Sequence, residues 1–242
     1  MGLVGCGNAS TAGPLGSPQA IIASAPDITL ASGTVKIIIS SPHADATGVI
    51  DLATHTGQLS VSTKTDPTTA KVLIVGDTGY IQSSAHAAYM QMPGPLPLSS
   101  LYDPNVVADG SDEDFPSSDP WADIDLVRGT THILSDGGGE SDGASTIGYT
   151  LTISPSQAIS MTPASRQAAI KALLEGRTKP FTIEVWVDSQ YRIRQIEVAA
   201  NFVAPDFKTE TPPTRDDGET IGTDVYFLSF GVPLTPVTVP QT

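Results

Sequence analysis

The four histidines are the side chains best suited to proton transfer near neutral pH, and they are spread widely along the chain. They are His43, His55, His86 and His132. A metal site would need two or three of them to meet carboxylates, and each is expected instead in or beside a loop. The chain also lacks the His-Glu-x-x-His zinc motif and the dinucleotide-binding glycine pattern. We therefore assign no catalytic residue and no metal ligand, and we expect neither an enzyme nor a cofactor.

Residues 103–125 are rich in carboxylates, whose oxygens are the ligands that calcium prefers. Seven acidic residues fall close together: Asp109, Asp112, Glu113, Asp114, Asp119, Asp123 and Asp125. The spacing of an EF-hand is absent, and Pro116 and Pro120 interrupt the run. We therefore expect a long solvated loop that binds no calcium tightly. Trp121 is expected to anchor this loop by packing on the rest of the fold.

Cys6 is the only cysteine, so no disulfide can form within the chain. The preceding Leu-Val-Gly resembles a bacterial lipobox, in which a signal peptidase cuts before a cysteine whose thiol then carries a diacylglycerol. Residues 1–20 are rich in Gly, Ser, Thr and Pro, which suits a flexible tether. Only five residues precede Cys6, so we expect Met1 to mark a start placed where a signal peptide was trimmed. The alternative is a plain thiol in a disordered terminus.

The composition favours many strands and turns, and it excludes some partners. The 242 residues include 22 Gly and 20 Pro, while only 16% are charged, below the quarter or so typical of globular domains. The net charge of −14 repels nucleic acid and anionic headgroups at long range, so we expect no nucleic-acid partner. No run of 18 or more apolar residues is present.

The stretch 179–199, KPFTIEVWVDSQYRIRQIEVA, has the alternation of a β-hairpin. Apolar and polar side chains alternate along its first arm, and Asp188 suits the turn. In the second arm we place Ile196, Val198 and Ala200 on the apolar face and Ile193 on the opposite face. An isolated hairpin is marginal in water, so other elements must cover its apolar face.

Strand patterns also dominate most of the remaining chain. Apolar runs or alternations occur at 35–39, 48–53, 58–62, 72–75, 80–82, 147–153 and 224–231. Short polar turns between consecutive strands predict an antiparallel meander. We assign 126–134 to a further strand and the Gly- and Asp-rich run 136–143 to a flexible loop.

The clearest helix spans residues 162–176. Thr162 suits its N-cap, Pro163 its first position and Gly176 its end. Its apolar stripe contains Ile170, Leu173 and Leu174. A second, shorter helix of one or two turns is expected within 18–30, where Pro26 should break it.

Several phrases occur in an order that resembles the LppX/LprG-type lipoproteins of actinobacteria. They are VLIVGDTGYIQS at 72–83, DPWADIDL at 119–126, RGTTHI at 128–133, IEVWVDSQYRIRQIEV at 183–198 and YFLSFGVPLTPVTVP at 226–240. The resemblance covers roughly residues 20–240, and the Leu-Val-Gly-Cys start fits the same family. Those proteins are lipid carriers of the cell envelope with a fold like that of LolA and LolB.

The resemblance implies a single α+β domain over 21–242 behind the tether of 1–20. Its strongly curved antiparallel sheet, a half-barrel, would carry helices over the concave face, with a hydrophobic cavity between them. The candidate residues that contact acyl chains in this cavity are Ile37, Ile39, Ile50, Leu52, Leu59, Val61, Leu151, Ile153, Ile170, Leu173, Leu174, Ile183 and Val185. The same side chains suit an ordinary filled core, and the residues alone leave both interpretations open.

The function implied by the resemblance is binding and shuttling of an amphiphilic lipid or lipoglycan. Acylated Cys6 would hold the protein on the outer face of the cell membrane, and an envelope transporter is a candidate partner. The alternative is an extracytoplasmic sensor or interaction module with a filled core and no carrier function.

Overall fold

The computed structural model describes residues 16–41, 44–64, 69–76, 78–83, 88–91, 119–141, 143–199 and 222–240. Within them, eleven strands form one antiparallel sheet. The strands are β1 (Thr34–Ser40), β2 (Ala44–Asp51), β3 (Thr56–Thr63), β4 (Thr69–Val75), β5 (Thr78–Ser83), β6 (Met90–Gln91), β7 (Thr130–Ser141), β8 (Ala144–Ile153), β9 (Phe181–Asp188), β10 (Ile193–Ala199) and β11 (Gly222–Phe230). The helices are α1 (Pro18–Leu30), α2 (Pro120–Leu126), α3 (Pro155–Met161) and α4 (Gln167–Leu173).

The sheet consists of two antiparallel meanders joined side by side. Its linear order is β6-β5-β4-β3-β2-β1-β11-β10-β9-β8-β7, so the sheet does not close into a barrel. Neighbours in the sheet are neighbours in sequence everywhere except at the central pair, where β1 lies against β11. The expected α+β fold with a large antiparallel sheet is confirmed.

Gly48 marks a place where two strands approach too closely for a side chain. A Cβ atom at this position would overlap the carbonyl oxygen of Gln58 on β3. Glycine inside a strand commonly marks such a bend or close backbone approach. The sequence therefore allows β2 to bend against β3 in the middle of the first meander.

The hairpin of β9 and β10 is confirmed, but one of its faces was assigned wrongly. The register pairs Ile193 with Val187 and then Gln195 with Trp186, so the pairing shifts by one residue. A bulge of this kind reverses the alternation of side chains. Ile193 therefore lies with Ile196 in the buried core and not on the opposite face.

The expected break of α1 at Pro26 is wrong. The helix has 13 residues and continues past Pro26 to Leu30. A proline inside a helix destabilises it by about 3 kcal/mol. Each fully buried aliphatic side chain offsets about 1.5–3 kcal/mol. Ile21, Ile22 and Leu30 are all buried, so packing outweighs the lost backbone hydrogen bond. The helix also begins at Pro18, within the range that we assigned to the tether.

The solvated loop expected over 103–125 is wrong at its end, where residues 120–126 form the buried helix α2. The Asp119 carboxylate caps this helix by accepting hydrogen bonds from the N–H groups of Trp121 (3.0 Å) and Ala122 (3.2 Å). Pro120 occupies the first turn, where its missing N–H does no harm. Residues 103–118 lie outside the described residues, as does Cys6, so the calcium and lipobox expectations stay predictions.

Two boundaries around β7 also differ from expectation. A 3₁₀ turn at Val127–Gly129 follows α2, so the strand expected from residue 126 begins only at Thr130. The flexible loop expected at 136–143 is instead mostly the end of β7, paired with β8. Gly137, with φ of 93°, lies at a shift in that register, which explains the glycine-rich sequence.

The helix expected over 162–176 is divided and has a different start. Thr162 ends α3 and donates its hydroxyl hydrogen bond to the carbonyl oxygen of Ala158 (2.8 Å). A 3₁₀ turn at Ala164–Arg166 then leads into α4. The sequence analysis missed α3, although Ser154 caps it and Pro155 occupies its first turn.

Candidate functional site

A continuous row of apolar side chains crosses eight strands on one face of the sheet, which we call the inner face. Directly paired residues connect the row from β8 to β4: Tyr149, Val185, Ile196, Val225, Ile39, Ala46, Val61 and Ala70. Because strand side chains alternate, the residues between these point to the opposite, outer face. The inner face therefore runs unbroken through the junction of the two meanders.

The structure brings the thirteen predicted lining residues together in one apolar cluster. Ten of them lie on the strands or just after β2, and Ile170, Leu173 and Leu174 lie on α4 or directly after it. Seven have no exposed surface at all: Ile37, Ile39, Ile50, Leu151, Ile153, Ile170 and Val185. The others are between 1% and 7% exposed. Their common location is thus observed, while contact of any of them with a ligand stays a prediction.

The zero exposure of these seven side chains limits where a ligand can lie in this conformation. A side chain with no accessible surface touches no space that a water molecule can enter. Protein interiors are close-packed in this way, with few voids as large as water. Acyl chains can contact these seven side chains only if the elements packed on them move apart.

Ion pairs and hydrogen bonds between charged side chains connect the helices to one another. The Asp125 carboxylate, whose side chain is 1% exposed, accepts hydrogen bonds from Arg128 Nε (2.8 Å) and from Arg166 Nε (2.7 Å) and Nη2 (3.0 Å). Arg128 reaches on to Asp27 of α1, with 2.7 Å between Nη2 and Oδ1. The hydrogen bond from Arg128 holds the pKa of Asp27 below its ordinary value. This network joins α1, α2 and the start of α4.

A second carboxyl group in α2 has a very different environment. Asp123 is 2% exposed, and its Oδ2 atom has no hydrogen-bond partner in the described part of the chain. Burial raises the pKa of Asp123 well above its ordinary value, and the nearby Asp119 raises it further. Sequence reasoning missed this residue by placing it in solvent. The signal that could have found it is the Asp119-Pro120 helix start followed by apolar residues.

α2 and α1 are fixed to the sheet by two polar contacts. Trp121 Nε1 donates a hydrogen bond to the carbonyl oxygen of Leu52 (3.1 Å), and its ring lies 5.1 Å from that of His55. The expected anchoring role of Trp121 is thus observed, although on a helix. In α1, the buried Thr29 hydroxyl accepts a hydrogen bond from the backbone N–H of Ile193 (2.8 Å).

Residues 139–143 have the Gly-x-Ser-x-Gly spacing of a nucleophile elbow, but their geometry is different. An elbow places its serine on a sharp turn from a strand into a helix. Ser141 instead ends β7, directly before the turn into β8.

Among the described residues no group of three or more His, Cys, Asp or Glu side chains could hold a metal ion. No described helix is long and apolar enough to cross a membrane.

Comparisons with known proteins concern the fold. No protein-family model and no curated protein sequence matches the chain. LprF from Mycobacterium bovis is 14% identical, with a TM-score of 0.51 over 92% of this chain and 97% of its own. The Mycobacterium tuberculosis lipoprotein LppX is 14% identical, with a TM-score of 0.53 over 90% of this chain and 99% of its own. The chain has the fold of LprF and LppX.

The matches cover at least 90% of this chain and 97% of each neighbour, so the likeness of fold extends over both meanders of the sheet. It confirms the resemblance drawn from the order of the sequence phrases, at the level of the fold. A fold hosts many functions, so function must be argued from the site.

Proposed function

We propose that the protein is an extracytoplasmic lipoprotein that binds an amphiphilic lipid against the inner face and carries it across the cell envelope. The observation that supports this proposal most is the unbroken apolar row across eight strands of an LppX-type fold, with helices packed against part of the sheet. The row carries no charged side chain, so it offers acyl chains an apolar surface along its whole length. We infer no catalytic function, because no described constellation resembles a catalytic site.

The energy of burying one acyl chain is sufficient for a stable complex. Each buried methylene contributes about 0.8 kcal/mol, so a chain of about 16 carbons offers on the order of 10 kcal/mol. Ordering the chain and moving the covering helices apart would reduce this value. No cationic clamp is required, which fits a chain with only 12 basic residues.

For lipid to reach the inner face, we infer that the helices move and the sheet stays intact. Sheet strands are held by continuous backbone ladders, whereas α2 and α4 are held to one another by side chains centred on Asp125. α1 is attached to β10 through Thr29. We propose that lipid enters where this helical layer separates from the sheet.

The second candidate function is an interaction module with a filled core. The zero exposure of seven of the thirteen candidate residues supports it, because the same packing is expected if no ligand ever enters. The two candidates differ in a measurable way. Only a carrier takes up lipid.

The test is lipid uptake combined with a bulky substitution on each face of β3. Purified protein is examined by native mass spectrometry and lipid extraction, and then by uptake of a fluorescent fatty acid. Val61→Trp fills the inner face, and Ser62→Trp, at the adjacent exposed outer position, is its matched control. Leu151→Trp repeats the test in the second meander.

In a carrier, both inner substitutions lower uptake and Ser62→Trp does not. Leu151 has no accessible surface, so Leu151→Trp lowers the melting temperature in either case, and its effect on uptake is what distinguishes the two candidates. In a filled core, overpacking at Val61 and Leu151 lowers the free energy of unfolding by about 1–3 kcal/mol. If the wild type binds no lipid in any assay and both inner substitutions destabilise the protein, the carrier proposal is wrong. The interaction module then becomes the better interpretation.

Attachment to the membrane is a separate part of the proposal. Two acyl chains are needed for firm anchoring, because one gives only marginal and reversible binding. In a form of the protein that carries a signal peptide ending at Gly5, Cys6→Ala should move the protein from the membrane fraction to the medium or leave it as an uncleaved precursor. Unchanged fractionation would remove the lipobox interpretation without affecting the lipid-binding test.

A further inference from the structure

The outer face of the first meander forms the floor of a groove on the side of the sheet opposite to the inner face. After β11 the chain turns at Gly231, whose φ is 75°, and residues 233–235 lie over β2, β3 and β4. The hydrogen bond from Gly231 N to the carbonyl oxygen of Thr34 (2.7 Å) fixes this turn. The groove between this segment and the sheet has a volume of about 360 Å³. That is within the range of small-molecule sites.

The floor of the groove combines two rows of outward-facing side chains. One row consists of Thr47, Ser60 and Lys71, and the other of Val49, Gln58 and Leu73. Tyr89, Pro233, Leu234 and Thr235 also line the groove, as do Gly48, Leu59 and Val72 of the strands. The groove therefore offers hydroxyl, amide and ammonium groups beside aliphatic and aromatic surface, and none of the described residues that line it carries a carboxylate.

Among the described residues that line the groove, Lys71 is the one with a positive charge. The two nearby carboxylates of β2 are engaged: Asp45 with Lys64 (3.3 Å), and Asp51 with the backbone N–H of Ala53 (2.9 Å). Lys71 is exposed and forms no ion pair within the part of the chain that the structure describes. At physiological salt the net charge of the molecule is screened beyond about 8 Å, so the local ammonium group decides which ligand charge is favoured.

The lining also discriminates between classes of ligand. An alkyl chain would leave the hydroxyl and amide groups without partners. A peptide strand requires a sheet edge for its backbone hydrogen bonds. Here the floor is the face of the three paired strands β2, β3 and β4, and Pro233 in the wall has no N–H to donate. A ring that carries its own hydroxyl groups and a negative charge satisfies each part of the lining.

We propose that this groove is a binding site for an acidic saccharide, with its carboxylate at Lys71, its hydroxyl groups at Gln58, Ser60 and Thr47, and its ring against Tyr89. The proposal does not depend on lipid binding, because the polar side chains assigned to the saccharide lie on the face of the sheet opposite to the inner face.

The experiment compares two ligands that differ only in the carboxylate, methyl β-glucuronide and methyl β-glucoside. Binding to the full chain is followed by chemical-shift changes of the backbone amides. Ser60→Trp fills the groove from an exposed position. Lys71→Gln removes the cation, and Lys36→Gln removes a second exposed lysine of the same face that does not line the groove.

The proposal predicts that the glucuronide shifts amides of β2, β3 and β4, and that Ser60→Trp abolishes these shifts. Lys71→Gln should weaken the glucuronide up to about fivefold, to the level of the glucoside, as expected for an exposed ion pair. Lys36→Gln should leave the affinity unchanged. The proposal is overturned if neither ligand shifts these amides, if Ser60→Trp leaves binding intact, or if the two lysine variants lose affinity equally.

Discussion

Asp123 and Asp125 lie two residues apart in α2, are buried to the same degree, and have opposite surroundings. Asp125 is held by two arginines, whereas Asp123 Oδ2 has no partner among the described residues. Burial raises the pKa of Asp123, whereas Asp125 forms ion pairs with Arg128 and Arg166. The comparison shows that burial alone does not determine what a carboxyl group contributes. The partners that the fold delivers decide whether it stabilises the helical layer or opposes its packing.

The two carboxyl groups also bear on the proposed opening of the helical layer. Separation of α2 from α4 would expose the ion pairs of Asp125 and hydrate Asp123. The first change opposes opening and the second favours it. Substitutions at the two positions should therefore shift stability in opposite directions at neutral pH.

The largest effect is expected from Asp125→Asn, which removes the anion and leaves Arg128 and Arg166 without their shared partner. Breaking a buried ion pair by removing one member destabilises a protein by about 3–5 kcal/mol. Denaturant unfolding at pH 7 measures this loss. Glu175→Gln, at an exposed carboxylate just after α4, is the control and should change stability by less than about 0.5 kcal/mol. Equal effects of the two variants would contradict the role assigned to Asp125.

An intermediate effect with a distinct pH dependence is expected from Asp123→Asn. Because the folded state raises the pKa of Asp123, the wild type binds this proton more tightly when folded. The stabilisation is complete below the unfolded pKa of about 3.9 and is lost as pH rises through the folded pKa. Asparagine does not titrate, so the variant does not lose this stabilisation. Between the unfolded and folded pKa values of Asp123, the free energy of unfolding of the variant should therefore rise relative to that of the wild type by about 1.4 kcal/mol per pH unit. Parallel stability curves for the two proteins would show that Asp123 titrates normally.

The smallest effect is expected from Asp27→Asn at the exposed end of the same network. The Asp27 side chain is 73% exposed, so its pair with Arg128 contributes only about 0.2–1 kcal/mol. The lowered pKa of Asp27 means that this contribution is present above pH 4 or so and is lost as pH falls. Unfolding at low and high salt checks the assignment, since added salt should reduce the difference. A salt-independent difference would show that packing, not charge, is responsible.

The strands were predictable because their signal is local. Alternation at 35–39, 58–62 and 181–187 fixes which side chains share a face, and the inner-face residues follow from it. The prediction failed at Ile193, where a bulge inserts one residue into the alternation. A bulge leaves no mark on the composition of a strand, so its position emerges only from pairing with β9.

The helices were less predictable because their lengths are set by packing. α2, α3 and α4 have 7 residues each, shorter than isolated helices that are stable in water. Their start signals, Asp119-Pro120 and Ser154-Pro155, are present in the sequence. The apolar contacts that stabilise such short helices come from other helices and from strands that are distant in the sequence.

The sequence by itself determined most of the strands and the apolar inner face, since both depend on residues close together in the chain. Only the tertiary structure decided that β1 pairs with β11, that Asp125 meets Arg166 across 41 residues, and that Asp123 Oδ2 has no such partner among the described residues. It also placed residues 233–235 over β2, β3 and β4 to form the outer groove. These relations join segments far apart in sequence, and local patterns carry no information about which distant groups meet.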